Sequence, residues 1–387
     1  MPEVICTRRA SIISVLTSSA VLLNLSGTSA QESTEKTFAT PSLTIPLHYE
    51  PKLSAYIIEY TVGERRSKFG AIVDTGSPFL VVPRTDTCRP DYPWGCYRPE
   101  ESREAVGLKP TRERFDGNEG WVEWREGLFS FLPEGSNTII NTELAASSLA
   151  LLFPHSSSMT FGVISETLMD GPGGIFLGLV KNTDSWIRPS FLGQSQVTAF
   201  SVDLRKRDGI TPSLTLFGTP QEMMSTDSTK ASYNYSASLG PSDYIPLTTE
   251  LNKRYGDPTI HYVAVASSIK VNGFTLASSS RKDGRLFVIF DTGCSGMTIS
   301  PDLFDDQYSL ARSQRAKNVW DTVEVEFKTN SGETVTLNAK RPITTPLISD
   351  RPWGKKLDGH LIVLGLAFLD NLKMTIDADN SKIWFTE

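Results

Sequence analysis

The strongest constraint on this chain is a phrase that it uses twice. Residues 71–77 read Ala-Ile-Val-Asp-Thr-Gly-Ser, and residues 288–294 read Val-Ile-Phe-Asp-Thr-Gly-Cys. In each copy three apolar residues lead to an aspartate, a hydroxyl and a glycine, the pattern of a buried strand delivering a carboxylate to a tight turn. With each of the three residues at roughly 5–7% usage, two copies of Asp-Thr-Gly arise by chance in under about one such chain in a hundred. Two unrelated turns built from turn-favouring residues is therefore the weaker reading. If the turns face each other, Asp74 and Asp291 form a carboxylate pair. Two carboxylates at hydrogen-bonding distance do not both ionise; they share a proton, so that one serves as base while the other serves as acid.

The rest of the chain is compatible with that chemistry and poorly suited to others. Its 387 residues, 39% apolar and 21% charged, have room for two domains with a shared core. The formal charge of -6 and the lack of a basic cluster interleaved with aromatics exclude nucleic acid as an expected partner. The four histidines, His48, His155, His261 and His360, are scattered without metal-ligand spacing, so no metal and no cofactor are expected. Gly171-Pro172-Gly173-Gly174 lacks the Lys-Ser/Thr that completes a phosphate loop and reads as a turn. No Gly-x-Ser-x-Gly elbow is present.

Apolar or alternating runs at 56–62, 69–73, 214–217, 262–271, 286–290, 322–327 and 334–337 are bounded by Gly, Pro, Asn and Asp, and predict an all-β chain. Helices are expected to be short, at 301–304 and 143–151. Residues 223–243, rich in Ser, Thr and Tyr with little periodicity, read as a connection between two β-rich halves. They include the glycosylation acceptor Asn234-Tyr235-Ser236, usable only on a secretory route.

The N-terminus reads as an export signal over residues 1–30: Arg8 and Arg9, then an uncharged stretch with Ile12, Ile13, Val15, Leu16 and Leu22, ending Thr28-Ser29-Ala30. A transmembrane anchor is the competing reading, but the Ser, Thr, Asn and Gly content makes a poor span. The paired arginines also fit a twin-arginine-like signal. The expected destination is the secretory or vacuolar pathway, with the thylakoid lumen as the alternative, and no stable membrane span is expected after signal removal.

The two motifs and the fragments around them resemble the pepsin-like (family A1) aspartic proteases, in which each of two lobes supplies one Asp-Thr-Gly. Residues 56–63 resemble the strand before the first active-site loop, and residues 74–83 (Asp-Thr-Gly-Ser-Pro-Phe-Leu-Val-Val-Pro) resemble the loop itself. Residues 174–179 (Gly-Ile-Phe-Leu-Gly-Leu) and 362–366 (Ile-Val-Leu-Gly-Leu) resemble the strands that thread beneath each loop, and residues 368–385 resemble the C-terminal hairpin. The likeness runs from about Leu43 to the end of the chain, in the family's order.

The resemblance implies a bilobal all-β fold with two pseudo-symmetric lobes and a cleft between them: an N-terminal lobe at 31–222, a connection at 223–243 and a C-terminal lobe at 244–387. It implies an aspartic endopeptidase, expected to be a monomer, that takes a peptide or protein substrate in extended form and hydrolyses it with a water activated between Asp74 and Asp291. Thr75 and Thr292 would bind across the lobes beneath the pair, and Gly76 and Gly293 would let backbone amides approach it. Ser77 would donate its hydroxyl to the first carboxylate; Cys294 stands where the family has Ser or Thr, and a thiol donates weakly. The surroundings of Cys294 are apolar, so it reads as a structural thiol and not a nucleophile. Cys88 and Cys96 occupy the place of the family's small disulfide loop.

A hairpin at 113–131, turning at 116–120, is the candidate for the flap that closes over substrate. The family's flap tyrosine falls on Phe115, so Trp121 and Trp124 are the candidate hydrogen-bond donors, with strand packing as their plainer role. The family's tryptophan after the first motif is replaced by Val82, and no long basic pro-segment follows Ala30. These departures leave a second reading, a catalytically weak or inactive binding or inhibitor-type protein on the same fold.

Overall fold

The computed structural model describes residues 42–387 apart from 66, 86–87, 89–93, 100–105, 116–117, 132–149, 156–157, 168–174, 183–188, 207–208, 219–241, 252–260, 280–283, 314–317 and 348–358. The expected signal at 1–30, nearly all of the connection at 223–243 with its glycosylation acceptor, and the helix expected at 143–151 except for its end lie outside the described residues. The protein is mostly β. Among the described residues no helix is long and apolar enough to cross a membrane.

The first half supplies β1 (Ser42–Pro46), β2 (His48–Glu50), β3 (Ala55–Val62), β4 (Ser67–Asp74) and β5 (Val81–Pro83). A long pair follows, β6 (Val106–Phe115) and β7 (Asn118–Gly127), then β8 (Phe129–Phe131), β9 (Met159–Thr167), β10 (Phe176–Gly178), β11 (Val197–Asp203) and β12 (Ser213–Gly218). The second half supplies β13 (Ile245–Thr248), β14 (Val263–Val271), β15 (Phe274–Ser278), β16 (Arg285–Phe290), β17 (Met297–Ile299) and helix α1 (Pro301–Ser313). It continues with β18 (Thr322–Lys328), β19 (Thr334–Lys340), β20 (Thr344–Pro346), β21 (Gly359–Leu364), the single turn α2 (Leu366–Leu369), β22 (Lys373–Asp377) and β23 (Lys382–Thr386).

Both aspartate strands are covered on two faces, which their sequences demand. Leu286 to Phe290 are all buried on β16, and Phe69, Ala71 and Val73 are buried on β4. Such near-continuous apolar runs suit strands packed on both sides. Each strand also lies between two neighbours of the same kind. β4 has antiparallel β3 on one side and parallel β10 on the other; β16 has antiparallel β14 and parallel β21. The parallel partner arrives late in each half, after a long excursion of the chain.

The halves are joined by one continuous sheet. Its order places β1, β12 and β11 of the first half directly beside β22, β23 and β13 of the second. The seam is the antiparallel pair β11–β22, where Phe200 faces Ile376 and Ser201 faces Thr375, with the two hydroxyls 2.7 Å apart. One large apolar cluster contains residues of both halves. The remaining strands of the first half form a sheet of β10, β4, β3 and β2 with β8 on β3, and a four-stranded sheet β5–β9–β7–β6.

Two elements differ from expectation. The helix expected at 301–304 runs on to Ser313, because its inner face buries Leu303, Gln307 and Ala311 at helical spacing and Gln307 Nε2 donates to the Val319 carbonyl at 2.7 Å. The hairpin starts at Val106 and its strands pair as far as Phe115 with Asn118, so the turn is tighter than 116–120.

Candidate active site

β4 ends on Asp74, and Asp291 is the first residue after β16, so two buried strands deliver the two carboxylates. Asp74 is 5% exposed; Asp291 is half-buried. Each turn closes in the same way: Gly76 N–H donates to Asp74 Oδ1 at 2.7 Å, and Gly293 N–H donates to Asp291 Oδ1 at 2.8 Å.

The two turns meet face to face. A Cβ placed on Gly76 would stand 2.5 Å from Cγ and Oδ2 of Asp291, and one placed on Gly293 would stand 2.8 Å from Cγ and Oδ1 of Asp74. Real Cβ atoms do not approach so closely, so glycine in each turn is what lets the opposite carboxylate lie against it. Each carboxyl group therefore lies against the glycine of the opposite turn.

Beneath them the threonines cross reciprocally. Thr75 Oγ1 donates to the Phe290 carbonyl at 2.8 Å and accepts the Thr292 N–H at 3.0 Å. Thr292 Oγ1 donates to the Val73 carbonyl at 2.6 Å and accepts the Thr75 N–H at 3.2 Å. Both side chains are buried, 0% and 3% exposed, so these four bonds are shielded from water. A buried hydroxyl with both donor and acceptor satisfied fixes its backbone partners in one arrangement.

A second layer holds each turn from within its own half. Gly178 N–H donates to the Phe79 carbonyl at 2.9 Å, and Gly365 N–H donates to the Gly296 carbonyl at 2.8 Å; each acceptor lies five residues past its aspartate. A Cβ on Gly178 would meet Phe79 N at 2.4 Å, and one on Gly365 would meet the Cys294 carbonyl oxygen at 2.2 Å. The glycine that ends β10 and the glycine that follows β21 are therefore needed for the threads to pass so close.

The structure brings Asp74, Thr75, Gly76, Asp291, Thr292 and Gly293 together as the sequence predicts. The residues that follow them behave differently. Among the described residues Ser77 Oγ is buried with no hydrogen-bond partner, so it does not donate to the Asp74 carboxylate. Cys294 is a half-buried thiol outside any disulfide, and its carbonyl accepts the Leu366 N–H at 2.8 Å. Cys88 and Cys96 form a disulfide with Cα atoms 5.5 Å apart.

The hairpin is present, and its tryptophans divide. Phe115 ends β6 at the tip, opposite Asn118. Trp121 is 46% exposed, whereas Trp124 is 1% exposed. Trp124 Nε1–H is taken by Thr111 Oγ1 on the adjacent strand at 2.8 Å, so it is not a donor toward the carboxylates. Its ring instead meets Phe79 of the first active-site loop edge-on at 5.2 Å, tying the hairpin to that loop.

Sequence reasoning missed two tyrosines. Tyr56, 2% exposed, donates from Oη to Asp370 Oδ1 at 2.7 Å across the halves. Tyr262, 6% exposed, donates to the Leu179 carbonyl at 2.8 Å in the opposite direction. The signal was available: each tyrosine stands at the start of the strand that pairs with an aspartate strand. Among the described residues no group of three His, Cys, Asp or Glu is placed to hold a metal ion. No protein-family model matches this chain, and no curated protein matches it.

Proposed function

We propose that the protein is an aspartic endopeptidase of the pepsin-like bilobal kind, hydrolysing peptide bonds with a water held between Asp74 and Asp291. The observation that carries the reading is the reciprocal packing of each turn's glycine against the other turn's carboxylate, above a buried threonine cross. Two β-rich halves sharing one seam also agree with two lobes.

In the proposed reaction the ionised member of the pair removes a proton from the bound water. The hydroxide oxygen forms a bond to the scissile carbonyl carbon while the protonated member gives its proton to the carbonyl oxygen. The tetrahedral carbon then expels the amine as the C–N bond breaks, with one carboxyl proton passing to the leaving nitrogen while the other carboxylate takes a proton from a hydroxyl on that carbon, restoring the pair. No bond to the enzyme forms. The Gly76 and Gly293 amides hold one oxygen of each carboxylate in place. The tip of the β6–β7 hairpin serves as the flap, and an extended peptide is the substrate. The Cys88–Cys96 disulfide fits an oxidising compartment on a secretory route, reached through the signal at 1–30.

One observation favours the second reading, a binding protein without turnover. Among the described residues the Ser77 hydroxyl has no partner, so the Asp74 carboxylate lacks the hydroxyl donor that the family resemblance implies, and the residue at the matching place after Asp291 is a thiol, a weak donor.

The test is cleavage of a diverse peptide library from acid to neutral pH, with and without a statine-type transition-state mimic. Inhibitor-sensitive cleavage that disappears in both Asp74→Asn and Asp291→Asn, with the fold intact, is the expected result. Near-wild-type turnover in either single variant rules out the pair. No cleavage by the wild type leaves the binding reading in its place.

A further inference from the structure

The hydrogen bonds that seat the first carboxylate do not end within its own half. Residues 179–181 follow β10. The Leu179 N–H donates to the Asp74 carbonyl at 2.8 Å, and the Val180 N–H donates to the Ser77 carbonyl at 3.0 Å. This segment therefore holds the Asp74 turn at both ends.

The same segment is itself held by one side chain from the other half. Tyr262 Oη donates to the Leu179 carbonyl at 2.8 Å and accepts the Lys181 N–H at 3.0 Å. Tyr262 immediately precedes β14, whose Val263 pairs with Ile289 on the Asp291 strand. Its ring packs 5.7 Å from that of Phe200 on the seam strand β11. Lys181 adds a second tie, from Nζ to the Val197 carbonyl at 2.8 Å and to Asp379 at 2.6 Å.

We propose that Tyr262 is a positioning residue for Asp74, its phenol transmitting the position of the Asp291 strand to the backbone segment that fixes the Asp74 turn. The catalytic consequence rests on the endopeptidase reading above; the relay of hydrogen bonds does not. Only a phenol fits the role as built, because one oxygen must donate and accept at once while the ring fills apolar space. Burial pushes the Tyr262 phenol well above an ordinary tyrosine, so it remains a donor at any pH where a carboxylate pair operates. Tyr56 is the counterpart in the other half, one residue into β3, where its phenol donates to the Asp370 side chain. Both tyrosines tie the halves together, and Tyr262 does so at Leu179, whose N–H donates to the Asp74 carbonyl.

Tyr262→Phe keeps the ring and removes the oxygen. The expected result is a fall in kcat of about tenfold with KM within about twofold, the size of one buried hydrogen bond and the pattern of a group that does not touch substrate. Amide exchange at Leu179, Val180 and Lys181 should quicken by at least about tenfold while the β18–β19 amides are unaffected. Wild-type kcat combined with a uniform rise in exchange across the protein would mark Tyr262 as packing only and overturn the proposal. If the wild type cleaves no peptide, the endopeptidase reading fails by itself. The exchange at residues 179–181 then decides the relay, and exchange unchanged by Tyr262→Phe sinks it.

Discussion

Replacing Thr292 with Val removes a single oxygen from beneath the carboxylate pair while nearly keeping the side chain's shape. That oxygen donates to the Val73 carbonyl at 2.6 Å and accepts the Thr75 N–H at 3.2 Å. The variant strands both backbone groups in a site where Thr75 is 0% and Thr292 3% exposed. Each stranded buried group costs about 1–3 kcal/mol. Two of them therefore cost about 3 kcal/mol after partial relaxation, a large share of the ~5–15 kcal/mol that holds a typical protein folded. Thr75→Val strands the Phe290 carbonyl and the Thr292 N–H and should cost the same. The double variant should lose less than the sum, by about 1 kcal/mol, because the first substitution already loosens the crossing that the second would break. Urea unfolding of the wild type, both single variants and the double variant gives all four values. Single-variant losses under about 0.5 kcal/mol, or strict additivity, would refute the claim that the four bonds form one shielded unit.

Gly76→Ala puts a methyl 2.5 Å from Cγ and Oδ2 of Asp291; displacing that carboxylate should lower kcat/KM about a hundredfold, and near-wild-type turnover would show that the turns do not face each other. Away from the site, the Lys270 ammonium, 2.5 Å from Glu326 Oε1, and then the Ser268 hydroxyl hold the Glu326 carboxyl below the usual glutamate range. A depressed folded-state value stabilises the protein above the ordinary glutamate range, and that stability is lost as pH falls through the depressed value. Glu326→Gln should therefore cost ~0.5 kcal/mol at neutral pH, a small value suited to a well-hydrated pair, and the gap should close in strong acid; a gap of constant size across that range would remove the ion pair as its source.

The site was legible where it depends on local order. Asp74-Thr75-Gly76 and Asp291-Thr292-Gly293 announce themselves because a buried carboxylate needs an apolar lead-in and a turn that admits an amide, and both demands are met by adjacent residues. Gly178 and Gly365 were legible only through the resemblance of 174–179 and 362–366 to the family's threading strands. The contacts of Trp124 were not, since only the β6–β7 register puts Thr111 within reach of its indole. Helix α1 was cut short in the sequence reading because its buried stripe contains Gln307, a polar residue whose partner at Val319 lies beyond the helix. Ser77 was misjudged because the rotation of one hydroxyl is decided by neighbours that no motif describes. The tyrosine ties depend on distances between halves, and a spacing along the chain has no access to those.

The seam between β11 and β22 sets an order of events during synthesis. Ser201 and Thr375, whose hydroxyls touch, are 174 residues apart, and β22 and β23 stand between β11 and the rest of the second half's sheet. A nascent chain that has emerged only as far as β12 exposes β11 as an open edge, and pairing over so long a separation is slow. Emergence of the C-terminal hairpin closes the edges of both halves in one step. Both motifs, 71–77 and 288–294, precede β22 and β23 in the chain, so a ribosome-bound fragment can carry both before the seam that joins the halves has been synthesised.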